Sequence, residues 1–245
     1  MKLLIQTAVV LLALAATAGA DVVVPNAYAA TAGPSYQLGI LGNGNLTENT
    51  FQVGYAASQL GGIAVGDQIT SIAVRLAAGE GTITTPLNYT GYSIQIGRAA
   101  NAVGSFSSTF AANQGADTIT ARAGAMTIAA NSLVGGSGPN PFYTINFTTP
   151  YTYTGGPLAI TLRWTSVLAN RVAVDALDLN LAPSVVDTVS SPGNATAATG
   201  TAQFFVAPIL RLGVRAVPEP SSIALVGIGL AASVGLGLAR RRRTA

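Results

Sequence analysis

Apolar and polar residues alternate with a period of two along several stretches of the chain, most clearly over residues 158–167. There Leu158, Ile160, Leu162 and Trp164 share one parity, and Ala159, Thr161, Arg163 and Thr165 share the other. Successive side chains of an extended strand point to opposite faces, so this spacing predicts a β-strand with one buried face. The same alternation predicts strands around Ile72, Val74 and Leu76, around Tyr92, Ile94 and Ile96, and around Tyr143, Ile145 and Phe147. Further strands are expected over 51–55, 118–122, 171–176 and 203–214. Pro208 interrupts the last of these and suggests a bulge or an edge position.

Glycine-rich breaks at 61–62, 79–81, 135–139 and 155–157 punctuate these runs as turns. Residues 182–202, with Pro183, Pro192, Gly193, Gly200 and many Ala, Ser and Thr, read as a long loop. Eight or more strands without a fixed-period repeat point away from a β-helix and towards an antiparallel β-sandwich, jelly-roll-like in form. All sixteen aromatic residues lie between Tyr28 and Phe205, which marks the folding unit as residues 21–216.

The two ends have a different pattern. Lys2, an apolar run over 3–16 and the small-x-small triplet from Ala18 to Ala20 read as a secretory signal peptide spanning 1–20, cleaved before Asp21. Towards the other end, residues 223–239 are seventeen positions without a charge, followed by Arg240, Arg241, Arg242 and Arg243. At about 1.5 Å per residue such a helix reaches roughly 25 Å, the short end of a membrane span. The arginine block then acts as a cytoplasmic stop-transfer signal by the positive-inside rule, with the rest of the chain on the exported side. The expected architecture is therefore a β domain between a signal helix and a C-terminal transmembrane helix.

Composition first suggests something else. The 245 residues carry 12 Lys plus Arg against 9 Asp plus Glu, and the sequence pI is about 9.4, a value that fits a nucleic-acid binder only where the cations cluster. Lys2 and the four tail arginines hold five of the positive charges; the stretch 21–217 has seven arginines against eight acids, a formal charge of −1. Its arginines are scattered singly, so no nucleic-acid partner is expected. The chain has no Cys and no His, which excludes thiol nucleophiles, a Ser-His-Asp triad, disulfides and Cys or His zinc sites.

Val217, Pro218, Glu219 and Pro220, the apolar segment and the arginine block follow one another in the order found in PEP-CTERM sorting signals of Gram-negative bacteria, and residues 217–245 resemble that family of signals. The resemblance implies that Pro218-Glu219-Pro220 is recognised by an exosortase, a membrane-embedded cysteine transpeptidase, after export through the secretion machinery. It further implies delivery to the cell surface or exopolysaccharide matrix, with the membrane helix as a temporary anchor. Two prolines fix φ and disfavour helix at the residue before each, so the motif should be extended and accessible. The run 51–60 followed by 66–72 also resembles the strand-turn-strand opening of β-sandwich domains carried on such tails.

Candidate chemistry inside the domain is sparse. Asp175, Asp178 and Asn180 form an oxygen-rich group that is a weak candidate for calcium, although EF-hand spacing is absent. The odd spacing of Asp175 and Asp178 puts them on opposite faces of a strand, so a glycosidase pair is not expected there, and the two read as polar loop carboxylates. Tyr151 with Tyr153, and Tyr89 with Tyr92, are candidates either for stacking on a sugar ring or for core pairs. Asn45, Asn88, Asn146 and Asn194 begin Asn-x-Thr triplets. No phosphate loop or nucleophile elbow is present. The expectation is a non-enzymatic surface or matrix protein without cofactor; the alternatives are a carbohydrate-binding module for exopolysaccharide and a secreted hydrolase using Asp and Glu.

Overall fold

The computed structural model describes residues 20–42, 44–168, 170–178, 185–202 and 206–217. All of the expected signal segment except Ala20, together with Pro218-Glu219-Pro220, residues 223–239, Arg240 to Arg243 and Asn180, lies outside the described residues. Among the described residues no helix is long and apolar enough to cross a membrane. Their helical content is three short 3-10 segments, Asn26–Tyr28, Ala57–Gln59 and Phe110–Asn113. The rest of the regular structure is β.

In chain order the strands are β1 (Val22–Val24), β2 (Ser35–Gln37), β3 (Glu48–Tyr55), β4 (Gln68–Val74), β5 (Leu87–Arg98), β6 (Ile119–Arg122) and β7 (Met126–Ile128). They continue with β8 (Tyr143–Thr152), β9 (Leu158–Ser166), β10 (Val174–Asp178), β11 (Val186–Pro192), β12 (Thr201–Ala202), β13 (Val206–Pro208) and β14 (Leu210–Arg215). The largest sheet has seven strands in the order β12-β11-β3-β9-β5-β6, with β7 also paired to β5. A four-stranded sheet runs β1-β14-β4-β8, and a three-stranded one runs β13-β10-β2. The registered pairs are antiparallel, including β3 with β9, β5 with β9 and β4 with β8. Residues Ala20–Val214 form one compact unit.

The alternation read from the sequence decides what faces inward. Phe51, Val53 and Tyr55 of β3, Leu158, Ile160, Leu162 and Trp164 of β9, and Tyr92, Ile94 and Ile96 of β5 enter one apolar core. That core also receives Ile69, Ile72 and Val74 of β4, Ile145 of β8, Val174 of β10 and Leu210 and Leu212 of β14. Side chains from all three sheets therefore leave water together, at roughly 25 cal/mol per Å² of apolar area removed.

Three expectations are corrected. The supposed loop over 182–202 contains β11, which pairs with β3 across seven residues from Val186↔Tyr55 to Pro192↔Asn49. Its polar residues Asp187, Thr188 and Ser190 are nonetheless buried, so it shows no alternation in the sequence. The second correction concerns β9, where both faces are covered: Ala159 and Thr161 are as buried as Leu158 and Ile160. Residues 99–114 and 193–200 lie over the outer face, where Ala99, Phe106, Phe110, Ala159, Val189 and Ala197 make a second, smaller apolar cluster. Third, the strand expected over 171–176 begins at Val174 and ends at Asp178, which places Asp175 in a strand and not in a loop. Pro208 ends β13, as a residue without a backbone donor should, and Ile209 resumes the ladder by donating to the Asp175 carbonyl at 2.9 Å.

Candidate functional site

Register puts polar rows across the covered outer face of the large sheet. One contains Val189, Gln52, Thr161 and Gln95, and another contains Thr50, Arg163 and Ser93. Buried amides must find partners, and these do. Gln52 Nε2 donates to Thr161 Oγ1 at 2.8 Å and to the Phe110 carbonyl at 3.0 Å, while Asn113 Nδ2 donates to Gln52 Oε1 at 2.8 Å. Arg163 donates to Thr50 Oγ1 and to the carbonyls of Ala195 and Ala197, and burial lowers its pKa. Asp187 Oδ2 accepts from the backbone N–H groups of Gly104 at 2.9 Å and Phe106 at 2.8 Å. These groups tie the covering loops to the sheet; with their bonding capacity spent internally, they offer little to a substrate.

The carboxylates do not form a catalytic pair. Asp175 is 1% exposed and sits 2.7 Å from Nε of Arg75, which is 2% exposed. Its Oδ1 accepts from Gly33 N at 2.9 Å, and Arg75 Nη2 donates to the carbonyls of Tyr28 and Thr31. Both oxygens are thus committed to the protein. This corrects the loop reading, since Asp175 neutralises a buried guanidinium from within β10 and Asp178 lies three positions away at the half-exposed end of the same strand; the third calcium candidate, Asn180, is outside the described residues. Among the described residues no group of three or more Asp and Glu is placed to hold a metal ion.

The four tyrosines are core residues and not a sugar platform. Tyr89, Tyr92, Tyr151 and Tyr153 are all at most 5% exposed. Tyr89 and Tyr92 meet edge to face at 5.2 Å, and Tyr89 meets Trp164 at 6.1 Å. The hydroxyls of Tyr89 and Tyr92 and the Trp164 indole donate to the carbonyls of Leu41, Ile40 and Gly39 and pin that loop to the core. Burial raises the pKa of both tyrosines far above the ordinary value. Asn45, Asn88, Asn146 and Asn194 are all exposed.

One concave surface combines charge with access. At the end of β5 the chain turns into residues 99–114 and returns so that Gly115 N donates to the Arg98 carbonyl at 2.8 Å, and the turn that follows carries Asp117. β8 ends nearby, and Tyr151, Tyr153 and Thr154 lie at that end. Asp117 Oδ1 accepts from Arg98 N at 3.0 Å, and its Oδ2 accepts from the hydroxyls of Tyr151 and Thr154, each at 2.7 Å. Partial burial alone would raise the Asp117 carboxyl; the bonds from Tyr151, Thr154 and Arg98 outweigh it and hold the pKa below its ordinary value. The resulting cleft of about 420 Å³ opens to solvent and is lined by Arg98, Ala99, Ala100, Gly115, Asp117 and Thr154. It holds one carboxylate and one guanidinium, so it has the means to bind a polar group and lacks the second carboxylate of a glycosidase. Arg98 and Asp117 carried no signal in the sequence, because the donors that organise Asp117 lie 34 and 37 residues further along the chain.

No protein-family model matches the sequence, and no curated protein matches it.

Proposed function

We propose that this chain is an exported, non-enzymatic protein of the cell surface or extracellular matrix, associated with exopolysaccharide and delivered there through its C-terminal sorting signal. The observation that carries the reading is the ordered sequence of Pro218-Glu219-Pro220, seventeen uncharged residues and four arginines, opposite an N-terminal export signal. The three parts serve distinct physical ends, namely accessibility to the transpeptidase, residence in the bilayer, and retention of the tail on the cytoplasmic side. The partners are the export machinery, an exosortase-type transpeptidase and, before processing, the membrane itself. The domain is an antiparallel β-sandwich, jelly-roll-like in that β3, β4 and β5, and again β8 and β9, alternate between two sheets that feed one core. Such a passenger suits a surface where no disulfide is available, since its stability rests on a core of thirty-odd side chains.

Intact-mass measurement of protein extracted from a host that has the transpeptidase tests the reading. The expected product lacks residues 1–20 and the segment carrying Arg240 to Arg243. Retention of those arginines would leave only a plain membrane anchor.

A second reading, a module that binds exopolysaccharide, draws support from the Arg98–Asp117 cleft and no longer from the buried tyrosines. A hydrolase draws none from the placement of the carboxylates.

A further inference from the structure

Arg98 is the terminal residue of β5, and its pairing with Leu158 gives it the same parity as Ile94 and Ile96. Those two point into the core. At the end of the strand the core gives out, so Arg98 is exposed where its neighbours are buried. Its side chain lies along the turn at Gly156, where an added Cβ would stand 2.9 Å from Nε, and φ of +82° also calls for glycine. Among the described residues the guanidinium makes no hydrogen bond or ion pair. Arg98 lines the cleft, so a planar fork of five N–H donors stands beside it with no hydrogen bond among the described residues, its charge acting on the nearby Tyr153 hydroxyl.

Asp117 is prepared in the opposite sense. A carboxylate has about four lone-pair positions; three are occupied by Arg98 N, Tyr151 and Thr154, and the backbone N–H of Asp117 also leans on the group, which leaves at most about one for a ligand. One remaining acceptor suits a hydroxyl. An ammonium, with three donors and a full charge, needs more acceptors than this site has left. The walls between the two groups are Ala99, Ala100 and Gly115, so there is no aromatic face and selection must be polar. The cleft volume of about 420 Å³ is within the usual span for small-ligand sites, about 300–1,000 Å³. Because the cleft is open, a unit within a longer polymer can enter it without a free chain end.

We propose that this cleft binds one uronic-acid unit of an acidic polysaccharide, with the sugar carboxylate on the Arg98 guanidinium and a ring hydroxyl on the Asp117 carboxylate. The inference rests on the reading of the domain as an exopolysaccharide-facing protein and gives that partner its chemistry. A single exposed ion pair with one added hydrogen bond gives a weak site, with a dissociation constant on the order of 1 mM. Many copies of the protein on one polymer would gain by multivalency.

The test titrates the full-length chain, in detergent, with a four-unit galacturonate oligomer and with a neutral galactose oligomer of the same length, followed by calorimetry and by NMR of the Ala99, Ala100 and Gly115 amides. The acidic oligomer should bind, shift those amides and bind more weakly as salt is raised. R98Q and D117N should each weaken binding at least about tenfold, which is one factor of ten in the equilibrium constant. R98Q should stay close to the melting temperature of the parent, because among the described residues the side chain it replaces makes no hydrogen bond or ion pair. Failure of the acidic oligomer to bind, equal binding of the neutral oligomer, or unchanged affinity in R98Q would each overturn the proposal. C-terminal processing is read separately by mass, so these failures leave the sorting reading standing, and a failure of processing leaves the cleft to be judged by its own titration.

Discussion

At the scale of single residues, the buried charges explain themselves through their partners. Arg75 and Asp175 are each at most 2% exposed, a placement that costs several kcal/mol per ion unless every valence is met. They meet it in a distributed way: Tyr28 and Thr31 accept from the guanidinium, and Gly33 donates to the carboxylate, so the segment after β1 closes over the pair. Arg75→Met should destabilise the domain by about 3–5 kcal/mol, since it strands Asp175 in the core. Adding Asp175→Leu should recover part of that loss, and chemical unfolding of the two singles and the double measures the coupling. Additive effects would mean the two charges do not depend on each other. Tyr151 gives a second expectation. Burial first, and then the hydrogen bond to Asp117 and its charge, raise the pKa against opposing hydrogen bonds from Thr154, so that it is pushed up to about 12. A raised folded-state pKa means the unfolded chain loses its proton first. The stabilisation is present below the ordinary value of 10.0 and disappears as pH rises from there through about 12. Melting temperature measured across that window should fall in the parent and fall less in Tyr151→Phe.

Elements are where the outer cover of the large sheet becomes important. β3, β9 and β5 form its centre, and a sheet buried on both faces loses the polar side that normally marks a strand. The cover is possible because small residues sit under it: an added Cβ at Gly54 would collide with the Phe106 ring, and at Gly97 with Thr118. Gly54→Ala should therefore lift Phe106 and with it the loop that Asp187 holds through Gly104 and Phe106, at a cost of about 1–3 kcal/mol. Urea unfolding measures the cost, and faster hydrogen exchange in 99–110 would show where the cover opens. Truncating Phe106 in the same background should then cost less than it does alone. β9 and β5 were legible from their inward residues, whose parity survives whatever covers the other side. β11 was not, because Thr188 and Ser190 are buried although polar, and Asp187 is buried by hydrogen bonds from the distant backbone of Gly104 and Phe106, which hydrophobic spacing does not record.

For the whole molecule, charge separates the two ends from the middle. The full chain has a formal charge of +3 and a pI near 9.4, whereas residues 21–217 carry −1. Isoelectric focusing of the processed protein should place it below pH 7, and a basic product would show that the arginine tail had stayed on. The sequence alone determined the all-β character and the positions of the central strands, because each is written in neighbouring residues as parity along a strand. Only the tertiary structure decided that Asp175 belongs to Arg75, that four tyrosines are spent in the core, and that Arg98 and Asp117 face one cleft. Those facts join residues 19 to 100 positions apart, and a one-dimensional pattern has no term for which strand ends will meet.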